Sequence, residues 1–243
     1  MPADVKTKLV AGYVPGTGVL TPFGDIFEHA VSLYTGVSMK DLDALILWGG
    51  EDISPSLYNQ KVSRSAAKST PSNRDVFEWE MMREAVRYGK PIIGVCRGAQ
   101  IACAFAGGSL VQHVDGHNSN RHTIRTIDGY DIEANTVHHQ MMNPYNLPKE
   151  DYSLLAWTKT ALSPVYVGEN HEQVLKLDDG TPFSSKVEPE IIYFHKIKAL
   201  CIQGHPEWMP NTRFAEYCVE KAKELMTAGT IYSPLDHAEP ATI

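Results

Sequence analysis

Two short stretches carry the residues best suited to chemistry: G-V-C-R-G at 94–98 and H-P-E at 205–207. The first has the glycine–x–nucleophile–x–glycine pattern of an elbow, in which a sharp turn lifts the side chain into a cleft and brings backbone segments too close for Cβ atoms. Cys96 would sit where an apolar strand becomes a helix, so the first free N–H groups and the helix dipole would stabilise its thiolate. Taken alone, the pentapeptide also fits a core thiol at a tight corner. In the second stretch His205 and Glu207 are two apart at the end of an apolar run, and in extended chain such residues point the same way. Glu207 can then accept the far N–H of the imidazole while the near nitrogen faces a thiol. H-P-E by itself also fits a surface turn. Beside an elbow cysteine it reads as orienter and base to a nucleophile, in the chain order Cys, His, Glu.

The elements that must position these residues alternate. The runs "KLVAGYV" and "DALILWGG" read as buried parallel strands, and "GDIFEHAVSLYTG" between them spaces Ile26, Phe27, Ala30, Val31 and Tyr34 as a helix would. After the polar loop "KVSRSAAKSTPSN" comes a helix over "SNRDVFEWEMMREAVRYGK". Ser72 and Asp75 form its capping box, Val76, Trp79, Met82 or Arg83, and Val86 share one face, and Gly89 ends it. The strand "PIIGV", the Cys96 turn and a small-residue helix follow. This is an α/β pattern, an open and mostly parallel sheet with helices on both faces, whose ligands bind beyond the carboxyl ends of the strands. From Gly107 to Gln203 the strand-like runs and turns predict antiparallel additions to the same sheet. No linker interrupts the chain, which reads as one domain over 1–243 with a last helix presenting Phe214, Tyr217, Cys218 and Leu225 and an irregular tail at 230–243.

The bulk properties narrow the function. The 243 residues include 29 acidic and 22 basic ones, a net charge of −7 that disfavours nucleic acid or an anionic membrane as partner. No apolar run reaches bilayer length, and the N-terminus lacks a signal-peptide core. Four cysteines without C-x-x-C spacing read as reduced thiols of a cytoplasmic protein. His113, His117, His122, His138 and His139 invite a metal, but no ligand spacing such as H-E-x-x-H supports one. Nucleotide-binding glycine motifs are missing as well, so no cofactor is expected. Lys61, Arg64, Lys68 and Arg74 read as a solvated flank, or as a lure for a carboxylate substrate.

Taken in order, "GGEDISPSLY", "RDVFEWEMM", "GVCRGAQ", "NTVHHQ" and "QGHPE" resemble the class I glutamine amidotransferase-like superfamily, over roughly residues 40–225. Within it they are most similar to the γ-glutamyl hydrolase branch, on the run from Gly49 to Tyr58 and on Arg97. The resemblance implies Cys96 as nucleophile, His205 as general base and acid, Glu207 as its orienter, and the N–H groups of Gly50 and Arg97 as oxyanion hole. It implies that Gln100, His138, His139 and Gln140 help hold a glutamyl head group. The chain departs from the family at Gly204, Ala99 and Cys103, where larger or hydrogen-bonding residues are usual, which suggests a roomier cleft. The reaction implied is hydrolysis of a small γ-glutamyl amide through a thioester. Two alternatives stand beside it: a glutaminase delivering ammonia to a partner synthase subunit, and a silent binding protein on the same scaffold.

Overall fold

In chain order the strands of the computed structural model are β1 (Leu9–Val14), β2 (Phe27–Ser32), β3 (Ala44–Leu47), β4 (Ile92–Val95), β5 (Ser109–Val111), β6 (His113–Val114), β7 (Asn120–Thr126), β8 (Asp131–Thr136), β9 (Met141–Asn143), β10 (Tyr152–Thr158), β11 (Tyr166–Val167), β12 (Pro189–Phe194) and β13 (Ala199–Ile202). The helices are α1 (Asn73–Arg87), α2 (Arg97–Phe105) and α3 (Arg213–Ala228). The structure describes residues 9–64, 66–118, 120–169 and 174–230.

Nine strands form one sheet in the order β2-β1-β3-β4-β13-β12-β10-β7-β8. The first five run parallel to their neighbours, and the four beyond β13 pair antiparallel, as the change of texture after Gly107 predicts. The central strands β3, β4 and β13 are buried at every residue, which explains why they read as continuous apolar runs. Alternate side chains enter two cores. Leu45, Leu47 and Ile92 meet Met82 and Ala85 of α1 and Ala99, Ile101 and Ala102 of α2. Ala44, Ile46, Ile93 and Val95 face Phe214, Tyr217, Cys218, Ala222 and Leu225 of α3. Helices thus cover both faces, and the carboxyl ends of β1, β3, β4 and β13 share one edge.

Two sequence expectations are corrected. The segment at 24–36 is a 3-10 turn at Phe23–Asp25 followed by the edge strand β2, paired in parallel with β1. Of its first three residues only Phe27 is buried, while Glu28 and His29 face solvent. An edge strand covered on few sides shows no strict alternation, so its apolar residues imitated helical spacing. In α1 the capping box of Ser72 and Asp75 is present, but Val76 and Val86 are exposed and the buried face is Asp75, Glu78, Met82 and Ala85. Two acidic residues on the inner face disguise it in the sequence. No helix among the described residues is long and apolar enough to cross a membrane. Apart from Thr230, the tail expected to be irregular lies outside the described residues.

Candidate active site

The elbow forms where β4 meets α2. Cys96 occupies the helix N-cap position with φ 50° and ψ −109°, a strained conformation for a residue with a side chain. Its N–H bonds to Ile202 O of β13 at 2.7 Å, and its carbonyl accepts the Gln100 N–H at 3.0 Å. The flanking glycines answer a steric demand: a Cβ on Gly94 would lie 2.5 Å from the Gly98 carbonyl oxygen, and one on Gly98 would strike the Leu47 carbonyl of β3. Burial pushes the Cys103 thiol up to about 12 and the Cys201 and Cys218 thiols well above their ordinary value, consistent with core roles.

β13 ends beside this turn and delivers His205. The imidazole Nδ1 lies 2.7 Å from Glu207 Oε1, and the Cys96 sulfur is near enough to the ring to act on its protonation. Burial would push the His205 value down, but the interactions with Cys96 and Glu207 outweigh it and raise it to about 9. His205 thus stands between the two residues expected to act with it, bonded to Glu207 and within electrostatic reach of Cys96.

Three further residues complete this arrangement. Thr17, in the loop after β1, donates to Glu207 Oε1 at 2.7 Å and accepts the Gly49 N–H at 3.2 Å. Asn135 of β8 clasps the main chain of His205, accepting its N–H at 2.7 Å and donating to its carbonyl at 2.9 Å. Trp208 stacks on the His205 ring, with centroids 3.8 Å apart and planes 4° from parallel. Only Thr17 had a signal in sequence, its place in a glycine-rich turn at the carboxyl end of a predicted strand.

The loop after β3 passes close to His205 and to Arg97, the two residues beside which the expected oxyanion donors would act. A Cβ on Gly49 would lie 2.7 Å from His205 Cε1, and one on Gly50 would lie 3.3 Å from Arg97 Cδ. Arg97 opens α2, so its N–H is one of the amides that a helix start leaves unpaired by the helix itself. Its side chain turns inward, fully buried, to pair with Asp75 at 2.5 Å and with Glu78. Arg74 is no solvated flank. Its guanidinium donates to the carbonyls of Trp48 at 2.9 Å and Gly49 at 3.2 Å while bonding Glu78, and so braces the loop that carries Gly50.

Among the expected head-group residues, Gln100 Nε2 and His138 Nδ1 both bond the Gln140 carbonyl, at 3.1 and 2.9 Å. The Gln140 side chain is buried with neither polar atom paired. His139 points elsewhere, bonding Asp52 at 2.9 Å. Burial, with His117 adding to it, pushes the His138 imidazole down to about 3. His117 and His122 lie beside it, close to Glu188 and Glu190.

The roomier cleft does not materialise at Gly204 or Ala99. A Cβ on Gly204 would meet Asn135 O at 2.9 Å, Asn135 Oδ1 at 3.0 Å and Phe214 Cζ at 3.0 Å, and Ala99 is fully enclosed in the α1–α2 core. Gly204 makes room for the Asn135 clasp.

The glutamine amidotransferase-like protein YvdE of Lactococcus lactis is 26% identical over 190 residues, covering 78% of this chain and 75% of that one. A Mycobacterium tuberculosis protein named as a glutamine amidotransferase is 32% identical over 125 residues, 46% of this chain. The match spans only 39% of that relative's length. The small chain of carbamoyl phosphate synthase from Caulobacter vibrioides is 24% identical over 147 residues, covering 60% of this chain and 31% of that one. In fold, a Thermotoga maritima glutamine amidotransferase superposes with a TM-score of 0.53 at 12% identity, covering 90% of this chain and 91% of that one. The model of the Peptidase C26 family matches residues 26–207, and the chain belongs to that family, within the class I glutamine amidotransferase-like superfamily.

Proposed function

We propose that this protein hydrolyses a γ-glutamyl amide through a γ-glutamyl thioester. The observation that carries the reading is His205, held between the Cys96 sulfur and Glu207 with Nδ1 2.7 Å from the carboxylate. The Cys96 sulfur attacks the γ-carbonyl carbon, forming a C–S bond and a tetrahedral oxyanion that the N–H groups of Gly50 and Arg97 receive. His205 gives its proton to the leaving nitrogen as the C–N bond breaks. Water, giving a proton to His205, then attacks the thioester, and the C–S bond breaks to release glutamate and restore the thiolate. Gln100 and the Gln140 side chain, whose buried amide atoms have no partner, hold the glutamyl head group, and the four unpaired cysteines fit a cytoplasmic setting.

Similarity to the carbamoyl phosphate synthase small chain supports a second reading, a glutaminase that hands ammonia to a synthase subunit. Incubation with glutamine and a panel of γ-glutamyl amides, with glutamate release as readout, separates the two. Turnover of conjugates by the isolated protein, abolished in Cys96→Ala, is expected. Glutamine turnover that appears only when a second protein is added would select the synthase reading. A fully active, folded Cys96→Ala would overturn both.

A further inference from the structure

Close to the site, three elements converge on a buried set of ligand-type side chains. His117 lies between β6 and β7, His138 follows β8, and Glu190 belongs to β12. One potential ligand atom from each lies within 4.8 Å of the other two, and all three residues are buried. The sequence grouped the two histidines but gave no sign of Glu190, which reaches them from β12, far along the chain.

The surroundings orient the rings as a metal site requires. His138 is 5% exposed, and its Nδ1 faces the Gln140 carbonyl at 2.9 Å. A carbonyl only accepts, so Nδ1 carries the proton and the lone pair lies on Nε2, a buried atom with no hydrogen-bond partner. The Nε2 atom of His117 is 3.1 Å from Glu188 Oε2, although too poorly aligned for a good hydrogen bond. Its Nδ1 faces Glu190 Oε1 at 3.8 Å and Thr136 Oγ1 at 3.2 Å. The Thr136 hydroxyl proton is committed to the His117 carbonyl at 2.7 Å, so in the metal-free protein Nδ1 donates to Oγ1, and a cation at Nδ1 displaces that proton and selects the tautomer whose Nε2–H faces Glu188. Glu188 is fixed in turn by the N–H groups of Leu162 and Ser163 and by the Tyr166 hydroxyl. An imidazole with one nitrogen against a carbonyl or carboxylate and the other turned inward is the usual posture of a metal-binding histidine.

We propose that His117 Nδ1, His138 Nε2 and the Glu190 carboxylate bind a divalent cation of the zinc type, with Glu188 and His122 supporting His117 and Glu190 from outside. Two imidazoles and a carboxylate suit zinc, whose ligands sit about 2.0–2.2 Å from the metal. In tetrahedral coordination those ligands would be about 3.3–3.6 Å apart, so the set closes by roughly an ångström on binding. The cation takes no part in the thiol chemistry. It staples the antiparallel half of the sheet behind the 138–140 segment and so fixes the Gln140 carbonyl that Gln100 also grips.

The test is metal stoichiometry. Wild-type protein is equilibrated with zinc sulfate, passed over a desalting column and analysed by plasma mass spectrometry, with affinity measured by competition against a chromophoric chelator. About one equivalent of zinc is expected, together with a raised melting temperature. Glu190→Gln and His117→Gln should each weaken binding at least tenfold, whereas His113→Ala, at a largely buried histidine outside the set, should retain it. Should the variants not fold, cobalt-substituted wild type decides: intense visible bands of a four-coordinate site support the proposal, and weak six-coordinate bands overturn it. No retained zinc in the wild type, or equal retention in folded Glu190→Gln and His117→Gln, also overturns it. None of these readouts depends on hydrolase activity, so the proposal and the assigned function stand or fall separately.

Discussion

The Thr17 hydroxyl and Glu207 Oε1 are 2.7 Å apart, and that same oxygen is 2.7 Å from His205 Nδ1. Thr17 also accepts the Gly49 N–H, so one side chain ties the loop bearing Gly50 to the orienting carboxylate. Bonds to charged groups are worth about 1.5–3 kcal/mol. Thr17→Val is therefore expected to lower kcat about tenfold on a γ-glutamyl amide, with a smaller change in KM, and Thr17→Ser should restore most of the rate. A loss confined to KM would place Thr17 in substrate binding instead.

The raised value of His205 predicts the alkaline limb of the pH profile. The ring must be protonated to pair with the thiolate and to donate to the leaving nitrogen, and its value stands at about 9. The kcat/KM of the free enzyme should thus fall as pH rises through about 9. Glu207 is one cause of the upward shift, so Glu207→Gln should move the midpoint down as well as lower the rate. Stability follows the same sign: the His205 contribution is complete below the ordinary histidine value of about 6.5 and is lost as pH passes about 9. Urea titrations at pH 6 and pH 9.5 on wild type and His205→Gln would read it.

Gly204 shows how a small residue can signal close approach instead of open space. Adding a methyl there presses on a main-chain oxygen of Asn135, and overpacking of this kind costs about 1–3 kcal/mol. Gly204→Ala should lower the urea midpoint and, by shifting the Asn135 clasp on His205, reduce kcat for all γ-glutamyl amides alike. A change in leaving-group preference without a loss of stability would instead put position 204 in the cleft.

The same contrast marks what the sequence could reveal. Cys96, His205 and Glu207 were legible because elbow geometry and the i, i+2 rule are local, and the central strands because burial on both faces leaves unbroken apolar runs. Asn135 was not legible: its bonds to His205 join residues 70 apart, and nothing in "EANTV" announces them. Edge strand β2 lacked the two-sided burial that would have enforced a pattern. Asp75 was legible only as a cap and Glu78 not at all, because the cation they meet, Arg97, lies on another helix.

That buried pairing makes Arg97 a keystone between α1 and the elbow. Removing one partner of a buried ion pair typically costs about 3–5 kcal/mol, because the remaining charge stays uncompensated. Arg97→Met leaves Asp75 without this cation and should lower stability by about that amount in urea unfolding, with activity falling as the elbow loosens. Arg97→Lys should recover only part, since a single ammonium cannot reproduce the guanidinium fork across both carboxylates.

Trp208 tests whether the environment of His205 extends beyond its hydrogen bonds. The indole is half exposed and lies flat on the imidazole at 3.8 Å, a geometry that favours the imidazolium over the neutral ring. A cation over an aromatic face gains about 0.5–1 kcal/mol at an exposed site, which corresponds to a downward shift of roughly half a pH unit when the ring is removed. Trp208→Ala should therefore shift the alkaline midpoint of kcat/KM downward, and Trp208→Phe should leave it nearer the wild-type position. If Trp208→Ala lowers the rate but leaves the midpoint unmoved, the indole acts as a cover that excludes water from the thioester. Hydrolysis of the acyl-enzyme would then be the step that changes, and single-turnover kinetics would separate it from the attack by Cys96.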